Sequence, residues 1–324
     1  MSKGLTQLAK PVEAATSLEA ERDEILEGLL AEPKRISSKY FYDERGSMLF
    51  DRICELPEYY PTRTERAIVA EHLSEIAELV GPRAAVIEFG AGSNAKIRQL
   101  LDALEEPVAY VPVEISADYL MKQAKELARD YPKLNIQPVF ADFTQPFDLP
   151  EHPVMPERNL VFFPGSTIGN FTRAEARELL GVMRAEAKDD GALLIGVDLE
   201  KDPAILHAAY NDKAGVTAEF NLNVLRRLNR ELGANFDLDA FRHEAVYDEG
   251  RGRIEMRLVS EKDQKVRIMG LVLRFRRGEH IVTEYSHKYS IEGFHAIARQ
   301  AGFEPRRTWT DPRKFFSVHF MTAA

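Results

Sequence analysis

Three acids close three successive apolar runs in this chain, at spacings that suit one kind of chemistry. The first run, Ala84 to Phe89, carries Glu88 near its end. It breaks at Gly90-Ala91-Gly92 and passes into a helical pattern through Lys96, Leu100 and Leu101. Glycines at such a corner let the backbone turn sharply and let a ligand approach the main chain without meeting a Cβ. The second run, Ala109-Tyr-Val-Pro-Val-Glu114, ends in a carboxylate about twenty residues on, where an acid takes the two hydroxyls of a ribose. The third, Ile136-Gln-Pro-Val-Phe-Ala-Asp142-Phe143, ends in an acid suited to an adenine amino group and a ring suited to its face. Each acid alone is open to a plainer reading as a solvated strand end, and the glycine turn as an ordinary corner. Three together on one edge of a parallel sheet point to an adenosine-type ligand, because ligands of open α/β sheets bind outside the carboxyl ends of the strands.

The elements that must position these residues alternate regularly. A fourth apolar run, Leu160-Val-Phe-Phe-Pro164, leads into Gly165-Ser-Thr-Ile-Gly-Asn170. A helix running to about Lys188 precedes a fifth, Ala192-Leu-Leu-Ile-Gly-Val-Asp198. From Thr64 to Asp198 the strand and helix periods alternate, which predicts a parallel sheet with helices on both faces. The first turn lacks the third glycine of the dinucleotide fingerprint, which weakens a nicotinamide oxidoreductase reading. Its E-x-G-x-G form resembles the first loop of S-adenosylmethionine-dependent methyltransferases.

After Asp198 the pattern changes. Ala204 to Leu232 reads as long helices, Glu244 to Val259 and Lys265 to Arg276 as antiparallel strands, and Glu279 to Lys288 as a loop or short strand. A helix over Ile291 to Ala301 and two strands split by Thr310-Asp-Pro-Arg313 complete the first sheet. Near the start, Leu18 to Leu30 is helical, the first ten residues are polar and expected to fray, and Lys39 to Glu65 is dense in aromatic residues without a period. That density suits a binding surface or packing against the rest of the chain. The expected organisation is α/β. Residues 64–200 and 289–324 would form a Rossmann-like domain, with 10–63 and 201–288 as an inserted α+β substrate-binding domain.

Composition narrows the partners. The 324 residues are 44% hydrophobic, with a net charge of -9 and a pI near 5.5. An acidic balance argues against nucleic acid as the main substrate. The clusters Arg226, Arg227, Arg230 and Arg274, Arg276, Arg277 read as solvated faces. The single cysteine, Cys54, allows no internal disulfide and reads as a small core residue. No metal-ligand spacing occurs, and His287 and His319 read as structural. With no signal-like start and no run of about eighteen apolar residues, the expectation is a cytoplasmic monomer without membrane or metal.

Long strings across both parts carry a closer resemblance. They include Leu56-Pro-Glu-Tyr-Tyr-Pro-Thr-Arg-Thr-Glu65, Gly165-Ser-Thr-Ile-Gly-Asn170, Ala209-Tyr210-Asn-Asp212, Phe220-Asn221, Arg253-Ile-Glu-Met-Arg-Leu258 and Thr283-Glu284 with Ser286. On these the chain resembles the histidine Nα-methyltransferases of ergothioneine biosynthesis, which convert L-histidine to its trimethylated betaine, hercynine. The resemblance implies a class I methyltransferase sheet with S-adenosylmethionine as methyl donor. It implies cofactor contacts at Tyr42, Gly90, Lys96, Glu114, Asp142 and Phe143; Glu114 stands where the family resembled carries aspartate, a departure that keeps the bidentate acceptor. It places Tyr59, Asn170 and Tyr210 on the amino acid's amine and carboxylate, with Gly165 and Thr167 lining that corner. Phe50 stands near the amine, Met256 counts among the substrate residues, and Glu284 with Ser286 binds the imidazole.

The chemistry fits those types. Methyl transfer from a sulfonium is an in-line displacement by a neutral amine held at about 3 Å. Tyr59 and Asn170 are the catalytic candidates. An unperturbed tyrosine near 10 is a weak base at neutral pH, so Tyr59 reads as an orienter and positioning as the main term. Phe50 and Tyr59 would hold the alkylated ammonium by cation–π attraction of about 0.5–2 kcal/mol. Glu284 and Ser286 lie two apart on an extended segment and so share a face. On local sequence alone Glu284 also reads as a surface acid paired with Lys288. Two other functions stay open at this point: a same-fold methyltransferase for another amino acid, and a non-catalytic S-adenosylmethionine-binding regulatory protein.

Overall fold

The computed structural model describes residues 8–14, 18–92, 94–145, 147 and 149–324. In chain order the elements are β1 (Val12–Ala14), α1 (Leu18–Leu30), β2 (Lys34–Arg35), α2 (Glu44–Glu55), α3 (Tyr60–Glu71), α4 (Leu73–Val80), β3 (Ala84–Phe89), α5 (Ala95–Leu101), β4 (Ala109–Glu114), α6 (Ala117–Asp130), β5 (Asn135–Ile136), β6 (Val139–Ala141), β7 (Arg158–Phe163), α7 (Arg173–Ala187) and β8 (Ala192–Asp198). There follow α8 (Pro203–Tyr210), α9 (Val216–Leu232), β9 (Phe241–Asp248), β10 (Arg253–Ser260), β11 (Gln264–Ile268), β12 (Leu271–Phe275), β13 (His280–His287), α10 (Ile291–Gln300), β14 (Phe303–Thr310) and β15 (Phe316–Ala323). The described residues fall into two compact units, one drawn from Met1–Thr16, Pro61–Glu200 and Lys288–Ala324, the other from Ser17–Tyr60 and Lys201–His287.

The first unit is built on one sheet in the order β1-β6-β4-β3-β7-β8-β15-β14, with β5 beside β4. Strands β1 and β3 to β8 pair in parallel, whereas β15 runs antiparallel to both β8 and β14. The strands are apolar on both faces because helices cover both, as parallel sheets require. Along β3, Ala84 and Val86 face one core with Ile68, Ile97 and Leu127, while Ile87 and Phe89 face another with Leu180, Met183 and Phe294. Strand order reverses between β3 and β7, and the Gly90 turn opens at the carboxyl end of β3 beside that reversal.

The second unit carries a four-stranded sheet, β2-β13-β10-β9, and the separate hairpin β11–β12. Helices α2 and α9 pack on one another, and the Asp43 cap of α2 ties them: its Oδ1 accepts from Gly46 N and Asn223 Nδ2, and its Oδ2 pairs with Arg230 at 2.7 Å.

Several expectations need correction. Residues 10–14 belong to the first unit, because β1 pairs in parallel with β6 and Leu8 bridges to Ile136; of the segment expected to fray, residues 1–7 lie outside the described residues. Lys288, placed with the substrate part, also belongs to the first unit. The aromatic segment folds as helices: an Asp43 cap and apolar residues at Leu49 and Ile53 make α2, a period that the surrounding rings obscure. Segment 279–288 holds a full eight-residue strand, β13, paired with β10 on both sides of a one-residue register shift. Cys54 is half-buried, not core. Arg230 is held by Asp43, and Arg227 donates to the Tyr40 carbonyl, so that cluster links elements as well as facing water.

Candidate active site

The carboxyl edge of the first sheet gathers the expected cofactor residues. Gly90 follows β3 with φ of +71°, a left-handed conformation that a side chain would strain. Its N–H and that of Ala91 both donate to the Val113 carbonyl, which clamps the turn against β4. A Cβ at Gly90 would meet the Phe143 ring at 3.5 Å. Glu114 is the last residue of β4, and its Oε1 accepts from the N–H groups of Ile115 and Ser116 at 2.9 and 3.1 Å. Burial pushes this carboxyl up to about 7, against the pull of those two donors. Asp142 follows β6, and its Oδ1 accepts from Thr144 N and Oγ1. Phe143 packs on Phe89 and Phe163, each 5.8 Å away. Two acids and a ring at two adjacent strand ends fit the hydroxyls, amino group and face of an adenosine.

A carboxylate that the sequence did not single out binds this edge together. Glu65 on α3 is 3% exposed, accepts from Gly165 N at 2.8 and 3.0 Å, and pairs with Lys96 Nζ at 2.6 Å. It occupies the space over Gly196 of β8, where a Cβ would lie 1.9 Å from Glu65 Oε1. Glu65 is visible in the sequence only as the last residue of the string Leu56 to Glu65; neither period nor spacing marks it. Beyond Gly165, a short 3-10 turn over Thr167–Asn170 is closed by Thr167 Oγ1 donating to the Pro164 carbonyl and by Asp198 N donating to Ser166 Oγ. Gly165, Thr167 and Asn170 therefore sit at the same sheet edge as Lys96. Glu88, fully buried with Tyr110 donating to it, is likewise pushed up to about 7 by burial.

The second unit gathers the remaining residues around a chain of rings. Tyr42 meets Phe50 at 5.8 Å, Phe50 meets Tyr59 at 6.2 Å, and Tyr59 meets Tyr210 at 6.2 Å. Phe220 of α9 backs both Tyr42 and Phe50. Edge-to-face rings of this kind gain about 0.5–1.5 kcal/mol per pair beyond their burial. Tyr210 and Ser286 share a hydrogen bond of 2.7 Å. Tyr42, expected with the cofactor residues, thus lies in this unit among the rings. Glu284 and Ser286 stand on one face of β13, and Met256 of β10 is directly opposite Glu284 in the register. The Lys288 ammonium, the alternative partner for Glu284, is buried and lies 2.7 Å from Asp198. Burial, reinforced by Tyr210, Cys54, Glu284 and Tyr42, pushes the Tyr59 phenol well above 10, so it keeps its proton at neutral pH.

His319 is a fully buried structural residue: Ser317 Oγ and His295 Nε2 lie 2.8 and 3.0 Å from its ring nitrogens, and burial pushes it down to about 3. Among the described residues no cluster of three metal-ligating side chains occurs, and no helix is long and apolar enough to cross a membrane.

A doubly wound sheet with an E-x-G-x-G turn, strand-end acids for an adenosine and an antiparallel last strand defines a class I S-adenosylmethionine-dependent methyltransferase. Residues 21–323 match the family described as histidine-specific methyltransferase, SAM-dependent, and the chain belongs to that family. It is 40% identical over 316 residues to the histidine N-alpha-methyltransferase of Mycolicibacterium smegmatis, covering 96% of this chain and 97% of the relative. It is 32% identical over 285 residues to ergothioneine biosynthesis protein 1 of Neurospora crassa, covering 86% of this chain and 32% of that longer protein. It is also 28% identical over 327 residues to the L-tryptophan methyltransferase of Psilocybe serbica, covering 90% of each.

Proposed function

We propose that this protein methylates the α-amine of L-histidine three times with S-adenosylmethionine, producing hercynine for ergothioneine biosynthesis. The observation that carries the substrate assignment is the Glu284 and Ser286 pair on one face of β13, beside Tyr210, in a chain of the histidine-specific family. S-adenosylmethionine supplies an electrophilic methyl group on a sulfonium.

The residues supply position and proton bookkeeping. Glu114 accepts from the ribose hydroxyls with the oxygen that Ile115 and Ser116 leave open, and Asp142 and Phe143 take the adenine. Lys96 and the Gly165 turn are held in place by Glu65. The amine must reach the methyl group as a free base, and its own dissociation to solvent provides that form; Tyr59, protonated at neutral pH, donates or orients and does not remove the proton. Asn170 accepts from the amine through its amide oxygen and aims the lone pair. Phenyl faces at Phe50 and Tyr59 favour the increasingly alkylated, cationic product, which keeps it bound for the next transfer. Glu284 accepts the imidazole N–H. With Tyr210 as donor in the hydrogen bond the two hydroxyls share, Ser286 donates to the other ring nitrogen. A side chain lacking both nitrogens would forgo the bonds to Glu284 and Ser286.

The test is mass spectrometry of the purified protein with S-adenosylmethionine and an equimolar mixture of the twenty amino acids. Mono-, di- and trimethylated histidine with nothing else modified is the expected result. A different modified amino acid would discard the imidazole site, and cofactor binding without product would leave a binding protein.

A further inference from the structure

We propose that Thr283, Asn221 and His243 form a closed hydrogen-bond circuit that positions Glu284, Ser286 and Tyr210, with Asn221 as its hub; this rests on the reading that Glu284 and Ser286 hold the imidazole. The starting point is a register shift. On β10, Met256 faces Glu284 and Arg257 faces Val282, so Thr283 is an extra residue with no partner across the ladder. Such a bulge turns the side chains beside it, and a bulge of this kind needs something to pin it.

Asn221 pins it. Its side chain is 0% exposed and sits on α9 against the bulge. Thr283 Oγ1 donates to Asn221 Oδ1 at 2.7 Å, with the Met256 carbonyl a second acceptor at 3.2 Å. Asn221 Nδ2 lies 3.0 Å from the Arg257 carbonyl and 2.8 Å from His243 Nδ1. A carbonyl oxygen can only accept, so the amide is oriented with nitrogen toward Arg257. Both its protons are then spent, one on the Arg257 carbonyl beside the bulge and one on the imidazole, and its oxygen is taken by Thr283.

The orientation of the amide fixes the imidazole. An amide nitrogen has no lone pair to offer, so His243 Nδ1 must accept. The ring is therefore neutral with its proton on Nε2, which donates to the Tyr210 carbonyl at 2.8 Å. Burial, which holds His243 below its ordinary range, supports the same neutral form. Tyr210 ends α8, and its hydroxyl reaches Ser286. The path runs from the bulge through α9 and β9 to α8 and returns to β13 three residues from where it began. It fixes both the strand that carries the imidazole pair and the tyrosine that polarises one member of it. None of the three residues touches substrate; they are positioning residues, as the partners behind a ligating shell commonly are.

Thr283→Val deletes one hydroxyl at almost constant shape, and Thr283→Ser keeps it. Thr283→Val should raise KM for histidine about tenfold or more, leave KM for S-adenosylmethionine within about twofold, and Thr283→Ser should restore KM for histidine. Equal loss in both variants, a parallel rise in both KM values, or no change in Thr283→Val would overturn the proposal. A second measurement does not depend on activity or on a variant's folding: nitrogen-15 NMR of the histidine rings in the unmodified protein, with each ring assigned by through-bond correlation to its own backbone amide. The expected result is His243 as the neutral Nε2–H tautomer at pH 7; the Nδ1–H tautomer or a protonated ring would overturn the circuit. An unmodified protein that does not methylate histidine would overturn the substrate reading instead, and the tautomer would still decide the circuit.

Discussion

The two units of this protein build recognition in opposite ways. In the first, the groups proposed to meet a ligand hang from strand ends and tight turns, so the sheet itself sets their spacing; Glu114, Asp142 and Gly165 each stand within two residues of a strand's carboxyl end. In the second, position comes from side chains held by other side chains: Tyr42, Phe50, Tyr59 and Tyr210 by ring contacts, and Tyr210 with Ser286 by a shared proton. A backbone-set site tolerates change around it and loses only what the altered residue contributed. A side-chain-set site passes a change on to its neighbours.

The sharpest way to break the contrast is at Glu284. Glu284→Ala should lower kcat/KM for histidine about a thousandfold, because a site built to bond a polar group loses that much when the bond goes, and leave the KM for S-adenosylmethionine within about twofold. A comparable loss of cofactor affinity would show that the two sets are not separable. On the other side, Glu114→Gln should weaken S-adenosylmethionine binding about tenfold to a hundredfold by calorimetry and change KM for histidine little. The same carboxyl gives a pH dependence with a definite sign. In the proposed site ribose hydroxyls donate to the ionised form, and burial holds the carboxyl at about 7 in the free protein. Cofactor Kd should therefore be flat above pH 7 and rise about tenfold per unit below it, and Glu114→Gln should flatten the profile.

Smaller effects sharpen the comparison. Tyr59→Phe should slow turnover about tenfold without moving the pH–rate profile, since a phenol pushed well above 10 does not titrate in the working range. A shifted profile would make Tyr59 a base after all. Glu88 contributes to stability alone in this scheme. Its carboxyl is at about 7 in the fold against an ordinary 4.5, so the folded state binds the proton more tightly, and ionisation destabilises it as pH rises through 7. Glu88→Gln should be neutral at pH 5 and stabilising at pH 8, by at most about 3 kcal/mol in denaturant titrations.

The same contrast explains what could be read from the sequence. The glycine turn, the acids at 114 and 142 and the alternation from Thr64 to Asp198 follow from period and strand ends, which are local, and they stand where expected in the sheet. Tyr59, Tyr210, Glu284 and Ser286 have no local signature; resemblance alone drew attention to them. Glu65, Asn221, His243 and Thr283 carry no local mark because their meaning lies in partners about 20 to 100 residues away: Gly165 for Glu65, and Thr283 and His243 for Asn221. The bulge at Thr283 leaves no mark in composition or spacing.

Gly196 lies under the Glu65 carboxylate with no room for even a methyl group. Positions 65 and 196 are thus a single choice made twice along the chain. Among related sequences an acid at 65 should travel with glycine at 196, and a side chain at 196 should appear only where 65 has become small. Residues 131 apart in sequence should then covary as strongly as neighbours, which would locate the carboxylate in relatives whose strings have otherwise drifted beyond recognition.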